Sequence, residues 1–172
     1  MLADLKTLFE EPKTFPMRPS WIKRDEERFN LVSPLDIGGV TIEGLQFRAI
    51  AMINLPDEMV TFQLEYFPAK KNPKGGPIAR IEWKPLAAHS NKNIGPEKYR
   101  NLIQRGSHHH EFALNWQHDS DGVRKGNKSN LPISVPIELE PMFDEMLAFV
   151  GKEFNISPIE WVSRPPWWPK FI

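Results

Sequence analysis

The sequence predicts an α+β fold: a largely antiparallel β-sheet of about five strands, packed by two or three helices and ending in a Pro/Trp-rich tail. Three observations predict it. Apolar and polar residues alternate with a period of two at 45–53, 60–66 and 79–83, as half-buried strands require. Near the C-terminus, Phe143, Met146, Leu147, Val150 and Phe154 recur at the spacing of an amphipathic helix. The 172 residues, 40% hydrophobic with 11 Phe and 6 Trp, suffice for one sizeable core and are too few for two ordinary ones. The expectation is a single domain over 1–172, with a helix and wrapping segment at 1–30, a sheet-plus-helix core at 31–154 and the tail at 155–172.

Taken in order, Leu2, Leu5, Leu8 and Phe9 form the apolar side of a short helix that Pro12 stops. The Pro- and charge-rich stretch 15–30 predicts a wrapping segment anchored by Trp21 and Ile22. Gly38-Gly39 before Val40 and Ile42 predicts one short strand. Leu45, Phe47, Ala49, Ala51 and Ile53 make a long strand, and Val60, Phe62, Leu64 and Tyr66 its hairpin partner across the turn LPDE at 55–58. A Gly/Pro/Lys loop at 69–77 leads to a third strand carrying Ala79, Ile81 and Trp83. Pro96 opens a predicted helix that buries Tyr99, Leu102 and Ile103 and stops at Gly106. The alternation of Phe112, Leu114 and Trp116 predicts a strand that continues from the histidines before it, and 118–130 a long polar loop. A short edge strand broken by Pro132 and Pro136 precedes the amphipathic helix.

Composition excludes several classes. Lys plus Arg and Asp plus Glu are each 22, so no net field draws the chain to nucleic acid or anionic lipid, and such binding needs a local patch. The absence of Cys rules out disulfides, thiolate zinc sites and a cysteine nucleophile. The acidic N-terminal stretch does not read as a signal peptide, and no window has the roughly 18 apolar residues of a membrane span. A cytoplasmic protein with no membrane partner is expected. No Walker-A, Rossmann, nucleophile-elbow, HExxH or zinc-finger pattern is present. The DSDG at 119–122 begins like a calcium loop, but its twelfth position is Asn130 where a Glu is needed.

The stretch RGSHHHEFALNW at 105–116 concentrates the chemistry. It resembles an affinity tag, yet it has three histidines deep inside the chain, in phase with a strand pattern, and reads as native. On a strand, His108 and His110 share one face, that of Phe112, Leu114 and Trp116 on the core side, while His109 goes with Glu111. Two imidazoles on one face can share a metal or flank a phosphate. His89 and Asn91 follow the strand that carries Arg80 and Glu82 on one face, and a fold-over of their loop would bring His89 to His108 and His110. The basic clusters Lys70, Lys71 and Lys74, and Arg124, Lys125 and Lys128, sit in loops able to flank a nucleic-acid groove.

The order Arg80-Ile81-Glu82-Trp83, His89-x-Asn91, then Gly106-x-His108-x-His110-x-Phe112 resembles small uncharacterised prokaryotic proteins encoded near mobile elements, toxin–antitoxin or defence genes. The likeness covers roughly 80 residues, from Leu45 through Trp116 and the loop after it. The chain departs from the pattern in a longer insert at 94–105 and in its Pro-Trp tail. The resemblance implies the constellation and leaves its use open.

Three readings follow. In the first, the protein is a histidine-based, toxin-like or defence-related endoribonuclease: His89, His108 and His110 are catalytic, Asn91 and Arg80 orient, and no cofactor is needed. In the second, the same histidines bind a divalent metal with Glu82 or Glu111. In the third, the protein is not an enzyme and binds a protein partner through Trp161, Trp167 and Trp168 in the tail, residues that can equally cover the domain's own core.

Overall fold

The computed structural model describes residues 4–69, 74–126, 130–138 and 142–167. Their order is α1 (Leu5–Glu10), β1 (Lys13–Thr14), β2 (Ile22–Lys23), β3 (Arg28–Ile37), β4 (Val40–Met52), β5 (Val60–Tyr66), β6 (Gly76–Trp83), β7 (His89–Ser90), β8 (Ile103–Gln104), β9 (His108–His110), α2 (Phe112–Lys125), β10 (Val135–Pro136) and α3 (Phe143–Phe154), then a 3-10 turn at Ile159–Trp161. An antiparallel sheet runs in the order β1-β3-β4-β5-β6-β9-β10, with β2 also on β3, and β7 with β8 forms a separate small hairpin. The α+β class is as the sequence predicts.

The alternation in β4, β5 and β6 works as expected. Phe47, Ala49 and Ala51, Phe62, Leu64 and Val60, and Ala79, Ile81 and Trp83 face one side and are fully buried. Onto that side packs α3, whose Phe143 ring lies 6.1 Å from Phe62 and 5.6 Å from Trp83. Helix α1 adds Leu5 and Leu8 to the same core. Lys13, buried beside it, donates from Nζ to the carbonyls of Phe9 (2.6 Å), Glu11 (2.7 Å) and Phe154 (3.0 Å), which ties α1 to the end of α3. Burial pulls its pKa down from 10.5 to about 8.

Several elements differ from expectation. Gly38 and Gly39, at φ +59° and +78°, are the turn of a β3–β4 hairpin, so Val40 and Ile42 begin the long β4 and no separate strand. Strand β3 has no counterpart in the sequence expectation; it carries Pro34, and its register with β4 slips between Pro34 and Asp36. The helix predicted after Pro96 is instead a run of turns bonded i to i+3, including Tyr99 N–H to Pro96 O (2.9 Å) and Leu102 N–H to Tyr99 O (3.1 Å). Leu102 and Ile103, expected to be buried, are exposed.

The largest correction concerns 112–125, predicted as a strand and a loop and folded as α2. Phe112 and Trp116 stack at 5.2 Å one helical turn apart, and buried Asn115 between them bonds the backbone of Ile133. The apolar side at Phe112, Trp116 and Val123 is therefore helical, a period that five residues of alternation do not distinguish from a strand. The helix breaks at Asp119, whose carboxylate accepts the Gly122 N–H at 2.9 Å and restarts it.

Candidate functional site

Strand register assembles the site. Arg80 pairs with His110 and Glu82 with His108 across β6 and β9, and cross-strand partners share a face. His109 opposite Ile81 takes the other face, where its ring meets Phe149 of α3 at 5.4 Å and its Nε2 lies 3.0 Å from Glu111. The assignment of His108 and His110 to one face thus holds for three residues, but that face is not the core side. It is the polar side of the sheet, roofed by the β7–β8 hairpin and by residues 130–134.

The roof is held by side chains that satisfy the backbone. Asn91, buried, accepts from Ser134 N–H (2.9 Å) and donates to Ser134 O (2.9 Å) and Tyr99 O (3.2 Å). Gln104 donates to Ser134 O at 3.0 Å and accepts the Ser134 hydroxyl at 3.0 Å. These bonds clamp the hairpin to 130–134 and set His89 above the sheet.

His89, His108 and His110 meet there. Their ring centroids are 4.8–5.4 Å apart, and one ligand nitrogen of each lies within 4.8 Å of the others. The tautomers follow from the carbonyls they touch, since a carbonyl oxygen only accepts. His108 donates from Nδ1 to Gly106 O (2.9 Å) and His110 from Nδ1 to Leu131 O (2.7 Å). His89 donates from Nε2 to Pro132 O (3.1 Å) and Asn91 Oδ1 (3.2 Å). Lone pairs are left on Nε2 of His108 and His110 and on Nδ1 of His89.

Charged groups surround these lone pairs. Arg80 donates from Nη2 to His110 Nε2 at 3.0 Å and pairs through Nε with Glu82 at 3.1 Å. Glu82 oxygens lie 3.6 Å from His108 Nε2 and 4.0 Å from His110 Nε2. His108 Nε2 is buried with no hydrogen-bond partner. Burial, and secondarily the Arg80 charge, push the His110 pKa down to about 2; burial also lowers that of His108, against the pull of Glu82. Burial lowers Arg80 from its ordinary value as well, against Glu82.

A cavity of about 220 Å³ opens beside the cluster, lined by Arg80, His89, Ser90, Asn91, Lys92, Ile94, Leu131 and Pro132. Two cations and no carboxylate are on that wall. Imidazole nitrogens suit a transition metal, with Glu82 the nearby oxygen.

The structure thus brings together His89, His108, His110, Asn91, Arg80 and Glu82. Glu111, offered from the sequence as a metal ligand, lies on the opposite face with His109, which removes it from the site. Lys74 is exposed, Arg124 lies over the Trp116 ring at 4.4 Å, and Lys125 pairs with Asp121, while Lys70, Lys71 and Lys128 lie outside the described residues. Asp119 and Asp121 belong to α2 and form no calcium loop. In the tail, Trp161 and Trp167 pack half-buried against the core, and Trp167 donates to Met52 O at 2.8 Å; Trp168 lies outside the described residues. Lys92, Gln104 and Ser134 were not foreseen, because only the long-range docking of 130–134 gives them a place in the site. No described helix is long and apolar enough to cross a membrane. Comparison with protein-family models, curated proteins and solved structures finds no match to this chain.

Proposed function

We propose that this protein cleaves phosphodiester bonds, with RNA as substrate, at the centre formed by His89, His108 and His110. The observation that carries the reading is the convergence of three imidazole rings beside a cavity walled by Arg80 and Lys92. A phosphodiester is an anion that gains charge on its phosphoryl oxygens as a nucleophile adds, and fixed cations in a partly enclosed cavity favour that state. In the cleavage, the 2′-hydroxyl loses its proton to the histidine centre, its oxygen bonds to phosphorus, and the bond to the 5′-oxygen breaks. The products are a 2′,3′-cyclic phosphate and a 5′-hydroxyl, whose proton the centre returns. Arg80 and Lys92 contact the phosphoryl group, and Asn91 positions His89.

Histidine roles divide by environment. His110, held neutral far below pH 7, does not act as the acid that protonates the leaving oxygen. Its lone pair and that of His108 serve as hydrogen-bond acceptors that hold the centre together, and neither ring is the proton acceptor. His89, half-buried on the cavity wall, is the ring that reaches substrate.

Incubation of the purified protein with single-stranded RNA tests the reading. Wild type yields fragments with cyclic phosphate ends, and His89→Ala and the double change H108A/H110A each lose about 10²-fold or more of the rate. Intact RNA with wild-type protein, across buffers with and without divalent metal, would sink the proposal. A supporting observation in cells is growth arrest on expression of wild type that H108A/H110A does not cause.

A further inference from the structure

We infer that His89, His108 and His110 are the three-nitrogen ligand set of a divalent transition-metal site of the zinc class, with Arg80 as its displaceable occupant. This rests on the same centre as the proposed cleavage and names the cofactor that centre takes.

Four observations carry it. One ring nitrogen of each histidine lies within 4.8 Å of the others, so some point is within about 2.8 Å of all three. Zinc–imidazole bonds are ~2.0–2.1 Å, so each ring has to close in by only about 0.7 Å. Second, every ring gives its other nitrogen to a backbone carbonyl: Gly106, Leu131 and Pro132. Metal-binding histidines are held in this way, because the carbonyl fixes the tautomer and aims the lone pair. Third, His108 Nε2 is buried, faces the cluster and has no hydrogen-bond partner, and a buried polar atom without one is costly. A cation at the centre satisfies it. Fourth, the donor set is imidazole with one carboxylate nearby, which selects zinc, cobalt or nickel over magnesium or calcium.

Arg80 explains how the site is kept in order without the metal. Its guanidinium donates to His110 Nε2 and is held by Glu82, so a positive charge already sits against the lone pairs. A divalent cation takes that position, and Arg80 swings from His110 into the adjoining cavity, whose wall it already forms. Glu82 is then free to hydrogen-bond a water on the metal's fourth position. Such a water ionises near neutrality, so with the cation bound it is this water, and not a histidine ring, that takes the 2′-hydroxyl proton.

The test is cation binding read apart from activity. Full-length protein stripped with chelator is titrated with Zn²⁺ by calorimetry and with Co²⁺ by its visible d–d bands, each variant being checked for native circular dichroism. Wild type takes up one cation with the spectrum of a four-coordinate site. His89→Ala, a change in the roof hairpin, and N91A each weaken binding about 10–100-fold. Arg80→Met, which removes the competitor for His110 Nε2, tightens it. Absence of saturable uptake by wild type, or uptake that H89A leaves unchanged, overturns the site; weaker binding by R80M overturns the role given to Arg80. Uptake without RNA cleavage leaves the metal site standing and removes the proposed activity. Cleavage in chelator by a protein that takes up no cation does the reverse.

Discussion

Lowering the pH tests whether the histidine centre is neutral in the folded, metal-free protein. The unfolded chain binds a proton at each histidine near pH 6.5. The folded chain holds His110 at about 2, because burial and the Arg80 charge oppose its cation. Between those values the unfolded state carries one more proton than the folded state at this residue, so stability rises with pH there. The contribution is fully present above about pH 6.5 and is lost as pH falls towards 2. At pH 4.5, two units below the unfolded value, the loss is about 3 kcal/mol, a large share of the ~5–15 kcal/mol that holds a domain together. His108 is shifted in the same direction and adds to the slope. Urea unfolding followed by Trp fluorescence, in chelator at pH 7, 6, 5 and 4.5, measures it. His110→Gln removes one titrating ring, so its stability is lower at pH 7 and falls less steeply, and the two curves converge on acidification. If H110Q and wild type lose stability in parallel between pH 6.5 and 4.5, His110 is protonated in the folded state and the electrostatic description of the centre is wrong.

Other substitutions probe the scaffold. Glu65, buried on the polar side of the sheet, accepts from Arg48 (3.0 Å) and Gln46 (2.6 Å); Glu65→Ala strands those donors and costs about 3 kcal/mol by urea unfolding, whereas removing Glu10 from its exposed 4.0 Å pair with Lys6 changes stability by less than about 0.5 kcal/mol. Gly44 sits at φ +82° with the position of an added Cβ 1.9 Å from Phe67 O, so Gly44→Ala forces the β4–β5 pairing apart and lowers the melting temperature by at least several degrees. Trp167→Ala, which removes a bond to Met52 O and a ring contact with Phe143 at 6.3 Å, costs about 2–4 kcal/mol if the tail serves the chain's own core. A W167A protein of unchanged stability would return the tail to partner binding.

The legible part of the fold is where one period ran long enough. Strands β4, β5 and β6 and helix α3 each carry five or more residues of one period with a buried side, and the sequence reading places all four. Failures fall where tertiary contacts decide. Phe112, Leu114 and Trp116 fit a strand as well as a helix, and the arbiter is Asn115, whose amide needs the Ile133 backbone 18 residues away. Tyr99, Leu102 and Ile103 have helical spacing, yet Leu102 and Ile103 are exposed while the next residue, Gln104, is buried in the Ser134 network.

The site shows why a short-range rule can succeed inside a wrong segment. The period of two was extended over nine residues, from His108 to Trp116, and only the first three obey it. Those three suffice, since β9 is fixed on one side by Arg80 and Glu82 of β6 and on the other by Val135 and Pro136 of β10. Register, and no local motif, puts a guanidinium beside His110 and a carboxylate beside His108. The third histidine depends on a different interaction: Asn91, two residues after His89, is bonded to Ser134 across 43 residues. Loss of that amide therefore separates two effects. Asn91→Ala leaves β6 and β9 in place, so the pH dependence assigned to His110 persists, while His89 loses its support and cation uptake and RNA cleavage both fall. A protein in which N91A abolished the His110 effect as well would be one whose roof, rather than its sheet, builds the centre.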